Sequence, residues 1–339
     1  MYQRALRWVV PLLCLLTMTA CGSTTSSASK PTVGSVATTI HFGTATQQWT
    51  PNAEGLWFLD TLDGVANEVD PAVNKVVASI SVGRGATNLL ATPEVHALWV
   101  TDMDGSVSRV DLSTGQVVAT ISVSTEPVFS MTATSNPLTL WVAAYTDHTV
   151  MRIDMQTNRV AAAIDVGHAP DDLQTANGSV WVCNIRDDRA VQQIIPETNQ
   201  VVTRLTLQHS NFAGIGCGSI RFTENAVWVM TYNGITKLLR LDPQSFATIA
   251  TTNLGTEVIG FNIGADATAV WIPNVETKEL LRVDAQSSKV VGKLTLGQAP
   301  SRVTLSADSV WVSDYRDLSD GTLSSNGTGN TVWRITPTP

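Results

Sequence analysis

A tryptophan with apolar neighbours on both sides recurs along the chain and dominates its hydrophobic pattern. The first such triplet is Leu56-Trp57-Phe58, and the other six are centred on Trp99, Trp141, Trp181, Trp228, Trp271 and Trp311. Consecutive tryptophans are 42, 42, 40, 47, 43 and 40 residues apart. Apolar residues at successive positions indicate a strand that is buried on both faces. The pattern therefore predicts seven equivalent strands, each enclosed between neighbouring sheets.

Two further strand patterns follow each tryptophan at similar spacing. One has the form Val-Ser-Arg-Val-Asp (107–111), and the next has the form Val-Val-Ala-Ser-Ile-Ser-Val-Gly (76–83). Thr-Asn or Thr-Gly turns separate them, and Asn or Gly there can adopt a positive φ. A period near forty made of short strands is typical of a propeller blade. We predict an all-β fold, a seven-bladed β-propeller with four antiparallel strands per blade.

The last blade lacks a fourth strand at its own end of the chain. Residues 331–336 supply its third strand, whereas residues 35–43 at the other end read Ser-Val-Ala-Thr-Thr-Ile-His-Phe-Gly, which resembles 76–83. We therefore expect the N-terminal strand to close the last blade, which removes an open sheet edge. The predicted propeller spans residues 35–336, and residues 337–339 form a short C-terminal tail.

The N-terminus has the features of an export signal. Arg4 and Arg7 precede an apolar run over residues 8–18, which is too short to span a bilayer. The run ends in Leu-Thr-Met-Thr-Ala-Cys (16–21), a lipobox that predicts a signal peptide over residues 1–20 and lipidation of Cys21. Residues 21–34 are rich in Ser and Thr, as expected of a flexible tether. The alternative is an ordinary secretory signal in which Cys21 is incidental.

The net charge indicates which classes of partner to expect, and the cysteines indicate the cellular compartment. Loss of Arg4 and Arg7 with the signal changes the formal charge from −8 to −10. An acidic chain is a poor ligand for duplex nucleic acid, and we expect membrane contact through the lipid anchor only. Cys183 and Cys217 would remain in an oxidising compartment, where they either form a disulfide between neighbouring blades or stay as buried thiols. We expect a monomer in the cell envelope.

Alignment of the blades on their tryptophans reveals polar positions in the innermost strand. They are near the predicted channel mouth, where they are either ligand-binding residues or a solvated lining: Gln48, Asn88, Ser130, Asp172, Asn262 and Arg302.

Three histidines fall in connections on the same predicted face, and carboxylates are expected near them on that face. Together they could supply a general base beside a metal-held substrate. The alternative is a set of loop histidines without a ligand, because no close His-x-Glu pair occurs. These catalytic candidates are His148, His168, His209, Glu126 and Glu257.

The repeat, with its Val-Trp-Val, Arg-Ile/Val-Asp and Thr-Asn-x-Val-Val-Ala-x-Ile elements, resembles the YVTN or YncE-like β-propeller family. It is also similar to streptogramin-lyase-like propellers, which share the blade. The resemblance implies either an extracytoplasmic binding module without a cofactor or a magnesium-dependent carbon-oxygen lyase. Fold alone does not choose between them. We expect the binding module, with an envelope protein, a peptide or a small molecule as its partner.

Overall fold

Seven four-stranded antiparallel sheets follow one another along the chain in the computed structural model. The structure describes residues 33–42, 46–51, 56–186, 190–206, 216–232, 235–255, 262–306, 308–314 and 330–338, without the side chains of 46–51 and 232. The described residues belong to a compact unit, Pro31–Pro339, and the preceding unit, Met1–Lys30, lies outside them. No helix among them is long and apolar enough to span a bilayer.

Blades 1 to 6 take their strands in chain order from the inside of the ring to the outside, and only the outermost strand of blade 7 comes from the other end of the chain. Blade 1 consists of β2 (Thr46–Pro51), β3 (Leu56–Asp60), β4 (Val65–Asp70) and β5 (Lys75–Ser81). Blade 2 consists of β6 (Ala86–Thr92), β7 (Ala97–Asp102), β8 (Ser106–Asp111) and β9 (Gln116–Ser122), with a 3-10 turn at Pro93–Val95. Blade 3 consists of β10 (Ser130–Ser135), β11 (Leu138–Ala144), β12 (Thr149–Asp154) and β13 (Arg159–Asp165).

The remaining blades repeat this order. Blade 4 consists of β14 (Pro170–Ala176), β15 (Ser179–Asn184), β16 (Val191–Ile195) and β17 (Gln200–Leu205). Blade 5 consists of β18 (Gly216–Thr223), β19 (Ala226–Tyr232), β20 (Thr236–Leu241) and β21 (Thr248–Gly255). Blade 6 consists of β22 (Gly264–Ala265), β23 (Ala269–Asn274), β24 (Glu279–Asp284) and β25 (Val290–Thr295). Blade 7 consists of β26 (Pro300–Ser306), β27 (Ser309–Asp314), β28 (Thr331–Pro337) and β1 (Gly34–His41).

The ring is closed by pairing between the two ends of the chain. Strand β1 lies antiparallel to β28, with Gly34 opposite Pro337 and His41 opposite Thr331. The first strands of neighbouring blades contact each other around the whole ring, including β26 with β2. These observations confirm the predicted seven-bladed architecture and its closure by the N-terminal strand.

The hydrophobic core is divided among the seams between blades. Each repeated tryptophan is at most 4% exposed. Among the described residues, seven separate apolar clusters occur, and each combines side chains from two adjacent blades. Removal of one such aromatic side chain typically costs about 3–5 kcal/mol. The tryptophans are therefore explained by packing and not by ligand binding.

An arginine on the third strand joins most blades to the next one. Arg152, for example, lies 5.3 Å from the ring centroid of Trp141 in its own blade. It donates to the carbonyl of Pro196 at 2.7 Å and to Asn199 Oδ1 at 2.9 Å in the outer turn of blade 4. We call this arrangement the arginine latch, and it recurs with Arg109, Arg240, Arg282 and Arg334.

Candidate functional site

The predicted polar positions of the innermost strands converge on one cavity in the channel. This cavity has a volume of about 430 Å³. Five of the six predicted residues line it: Asn88, Ser130, Asp172, Asn262 and Arg302. Gln48 lies opposite Leu59 in blade 1, which is the equivalent strand position, but its side chain is outside the described residues.

Blade 5 contributes a residue that the sequence reasoning missed. Ser219 lies opposite Met230 and so occupies the place that Asp172 has opposite Cys183. Asp172, Asn262 and Arg302 each precede their blade's tryptophan by nine residues, and so does Ser219. That offset of nine residues, which Gln48 shares and which is eleven for Asn88 and Ser130, was the available signal, although the long connection into blade 5 obscured it.

Most of these polar side chains bond to the backbone of the next blade. Asp172 Oδ2 accepts from Ile220 N–H at 3.0 Å, and Asn262 Oδ1 accepts from Val303 N–H at 2.7 Å. Ser130 Oγ accepts from Leu173 N–H at 3.2 Å in the same way. Buried polar backbone groups need such partners. These residues therefore cross-link the first strands of adjacent blades, and only part of their hydrogen-bonding capacity faces the channel.

Four charged side chains from three blades meet in the cavity: Asp171, Asp172, Arg221 and Arg302. Asp172 is held firmly, because its Oδ2 lies 2.6 Å from Arg221 Nη1 and also accepts from Ser219 Oγ at 3.0 Å. The cluster contains equal numbers of positive and negative groups. It is a polar site that matches both signs of charge and not a simple anion or cation trap.

Asp171 reaches the channel through an irregularity in its strand. The pairing register of β14 with β15 shifts between Pro170 and Asp172, so Asp171 is the extra residue of a β-bulge. Burial raises the pKa of Asp171 to about 6, and the negative charge of Asp172 acts in the same direction, whereas Arg302 opposes the rise. Burial likewise lowers the pKa of the Arg302 guanidinium. Both side chains therefore lie in a partly buried environment, in which water solvates their charges less well than at the surface.

The histidine cluster is assembled only in part. His148, between β11 and β12, and His168, before β14, contact each other with Nε2 and Nδ1 3.3 Å apart. The N–H of Ala169 points at His148 Nδ1 from 3.4 Å. His209 and Glu257 lie outside the described residues. Glu126 is exposed before β10, and among the described residues no group of three or more His, Cys, Asp or Glu is placed to hold a metal ion.

Cys183 and Cys217 form a disulfide between blades 4 and 5, with Cα atoms 5.1 Å apart. Both residues are fully buried. Cys183 lies opposite Asp172, and Cys217 is two residues before Ser219. The bond therefore supports the strands that carry the charged cluster. Cys21, the predicted lipidation site, lies outside the described residues.

The fold and the cavity define a seven-bladed β-propeller with a charged polar site in its channel. No family model and no curated protein matches the sequence. Solved structures do match, and one is Kuenenia stuttgartiensis hydrazine synthase, with a TM-score of 0.70. It is 14% identical in sequence, and the likeness covers 82% of this chain and 95% of that chain. At this identity, the likeness extends to the fold alone.

Proposed function

We propose that this protein is a lipid-anchored binding module of the bacterial cell envelope and that its ligand site is the channel cavity. The observation that carries the proposal is the convergence of Asp171, Asp172, Arg221 and Arg302 on one space of about 430 Å³. Ligand pockets are commonly about 300–1,000 Å³ and carry a few convergent polar groups. Cross-linking of the blades accounts for Asp172 and Arg221 but not for the charge of Asp171.

A ligand screen with a cavity-blocking variant tests the site. Thr132 lines the cavity opposite Trp141, so Thr132→Tyr should fill it without removing a charge. Thr251→Tyr, on the exposed outer strand β21, is the matched control. We expect ligand-observed NMR with a library of polar small molecules to reveal binders that Thr132→Tyr loses and Thr251→Tyr keeps. Equal binding to both variants would remove the cavity from the proposal.

The cellular location is proposed from the sequence alone. Residues 1–20 as signal peptide, Cys21 as lipidated residue and 21–34 as tether support it, ahead of a propeller over 35–336. Fractionation tests it directly: the wild-type protein should partition with membranes, and Cys21→Ser should release it into the soluble extracytoplasmic fraction. Unchanged partitioning of the variant would refute lipid anchoring.

The second candidate is the magnesium-dependent lyase acting on a small cyclic or ester substrate. Its one favourable observation is the contact between His148 and His168 on the face that carries the cavity entrance. The donor set fits the metal poorly, because the carboxylates in the cavity are accompanied by two guanidinium groups. Turnover of a streptogramin in the presence of magnesium, abolished by His148→Ala, would establish this alternative.

A further inference from the structure

We propose that the channel cavity binds a small zwitterion, a molecule with a protonated amine and a carboxylate, such as a free amino acid or a short peptide. Asp171 would accept the ammonium group, and the positive charge of Arg302 would favour the carboxylate. The inference rests on the proposed function, because it names the ligand class of the same cavity.

The two neighbouring aspartates differ in the hydrogen bonds that they accept. Asp172 accepts from Ser219, Ile220 and Arg221, so its Oδ2 is satisfied by the protein itself. Asp171 lines the same cavity but accepts no hydrogen bond from the residues that the structure describes. A poorly solvated carboxylate without donors is unfavourable. An ammonium group supplies three N–H donors together with the opposite charge.

The charges in the cavity favour a ligand that carries both signs. Two carboxylates and two guanidinium groups leave the cavity close to neutral. A simple cation at Asp171 would add a positive charge beside Arg221 and Arg302, and a simple anion would add a negative one beside Asp171 and Asp172. A zwitterion satisfies both signs without adding net charge, which is the least costly arrangement in a partly buried site.

The size and the apolar surface of the cavity suit a small ligand. A cavity of about 430 Å³ is at the small end of ligand pockets. Phe129 lines it and is 44% exposed, next to Asn88, whose Nδ2 donates to the Phe129 carbonyl at 2.6 Å. An exposed aromatic ring beside charged groups suits a ligand that has a modest apolar side chain between its charged ends.

The site also predicts a dependence on pH. The charged groups that face Asp171 are Asp172 on its own strand, Arg221 on β18 and Arg302 on β26. Since the pKa of Asp171 is raised to about 6, this carboxyl group is ionised at neutral pH and becomes protonated as the pH falls through that value. Binding of an ammonium group should therefore weaken below about pH 6 and should release protons there.

Isothermal titration of the full chain tests the inference. The probes are the common free amino acids and the dipeptide Ala-Ala, followed by the N-acetylated and C-amidated forms of any that bind. We expect either blocking group to weaken binding about tenfold or more, as should Asp171→Asn. Asp147→Asn is the matched control, because Asp147 is exposed on the same face outside the cavity.

The outcomes separate the ligand class from the proposed function. Failure of every free amino acid and Ala-Ala to bind overturns the zwitterion, as does equal affinity for the N-acetylated form or an unchanged affinity of Asp171→Asn. If the polar library still yields a ligand that Thr132→Tyr loses, the binding function survives this failure. A variant Asp171→Asn that unfolds at the same temperature as the wild type shows that its lost affinity is not a folding defect.

Discussion

The seam between blades 4 and 5 is built differently from the seams with an arginine latch. At the latch position on β16 stands Gln193, opposite Trp181, and the ring of Phe246 from blade 5 stacks on that tryptophan at 4.8 Å and 16°. The seam between blades 1 and 2 also lacks the latch, with Glu68 opposite Trp57.

Where a seam lacks the arginine, the acceptor position in the outer turn of the next blade also differs. Asn74, Asn158 and Asn199 occupy the left-handed position of the outer turns and also accept from a latch arginine. The equivalent residue is Gly115 after the seam with Glu68, and Phe246 after the seam with Gln193. Three of the five latches therefore combine an arginine with an asparagine of the next blade, whereas Arg240 and Arg282 bond to backbone carbonyls alone. The seam nearest the charged cluster is held instead by a disulfide and aromatic stacking.

The largest loss of stability is expected from removal of the closing strand, because backbone pairing, and not a side-chain contact, closes the ring there. A chain that begins at residue 43 lacks β1 and leaves β28 as an unpaired edge strand. We expect it to lose more than the roughly 5 kcal/mol that marginally stable domains possess, and thus to lose cooperative unfolding. Circular dichroism during heating, against a chain beginning at residue 31, measures this. A truncated protein as stable as its control would contradict closure by β1.

Removal of the disulfide between blades 4 and 5 should have the second-largest effect on stability. It closes a separation of 34 residues, and its removal by Cys183→Ala with Cys217→Ala should cost about 2–4 kcal/mol in the free energy of unfolding. Urea denaturation measures this difference. An unchanged midpoint would mean that stacking of Phe246 on Trp181 holds the seam without covalent help.

Removal of a latch should have an intermediate effect. Arg334 donates to the Pro71 carbonyl and to Asn74 Oδ1 across the seam from blade 7 to blade 1. Arg334→Gln should lower the free energy of unfolding by about 1.5–3 kcal/mol, since hydrogen bonds to charged groups are worth that much. Glu68→Gln, at the equivalent place in a blade without the latch, should change it by less than about 0.5 kcal/mol. Equal effects of the two variants would refute the latch.

The smallest expected effect is an increase in stability. Glu68→Arg together with Gly115→Asn should install a latch between blades 1 and 2. A Cβ atom at Gly115 meets only Ile80 within 4 Å, at 3.8 Å, and Asn tolerates the φ of +67° better than most residues. A double-mutant cycle should show a favourable coupling of about 1 kcal/mol. Strict additivity of the two substitutions would show that the paired arrangement is coincidental.

Much of the fold could be predicted from the sequence, because burial between blades demands the same apolar triplet around Trp57 and each later tryptophan. The closing strand was equally visible, since it repeats the pattern of 76–83. The role of the arginines was not, although Arg-Val-Asp recurs, because its acceptors lie in another blade more than forty residues away in the chain.

The candidate site was predictable only as a region. Asn88, Ser130 and Asp172 do line the cavity, but their use as cross-links depends on the spacing between blades. Asp171 owes its position to a bulge of one residue, which recurs in the first strands of blades 1, 2, 5 and 7 and becomes visible only when each strand is paired with its neighbour. Arg302 of blade 7 acts electrostatically on Asp171 of blade 4 across the channel, and an interaction between such distant parts of the chain follows only from closure of the ring.

The pairing of Gly34 with Pro337 also determines the side from which the chain enters the propeller. The Thr338 carbonyl accepts from Arg282, as the outer turns of other blades accept from their latch arginines, so this end of β1 lies on the face of those turns. Asp171 follows a connection on the opposite face. The chain therefore enters the last blade on the face opposite to the connections that lead into the innermost strands, and a label or fusion partner joined ahead of residue 33 would be attached on the side of the ring away from Asp171.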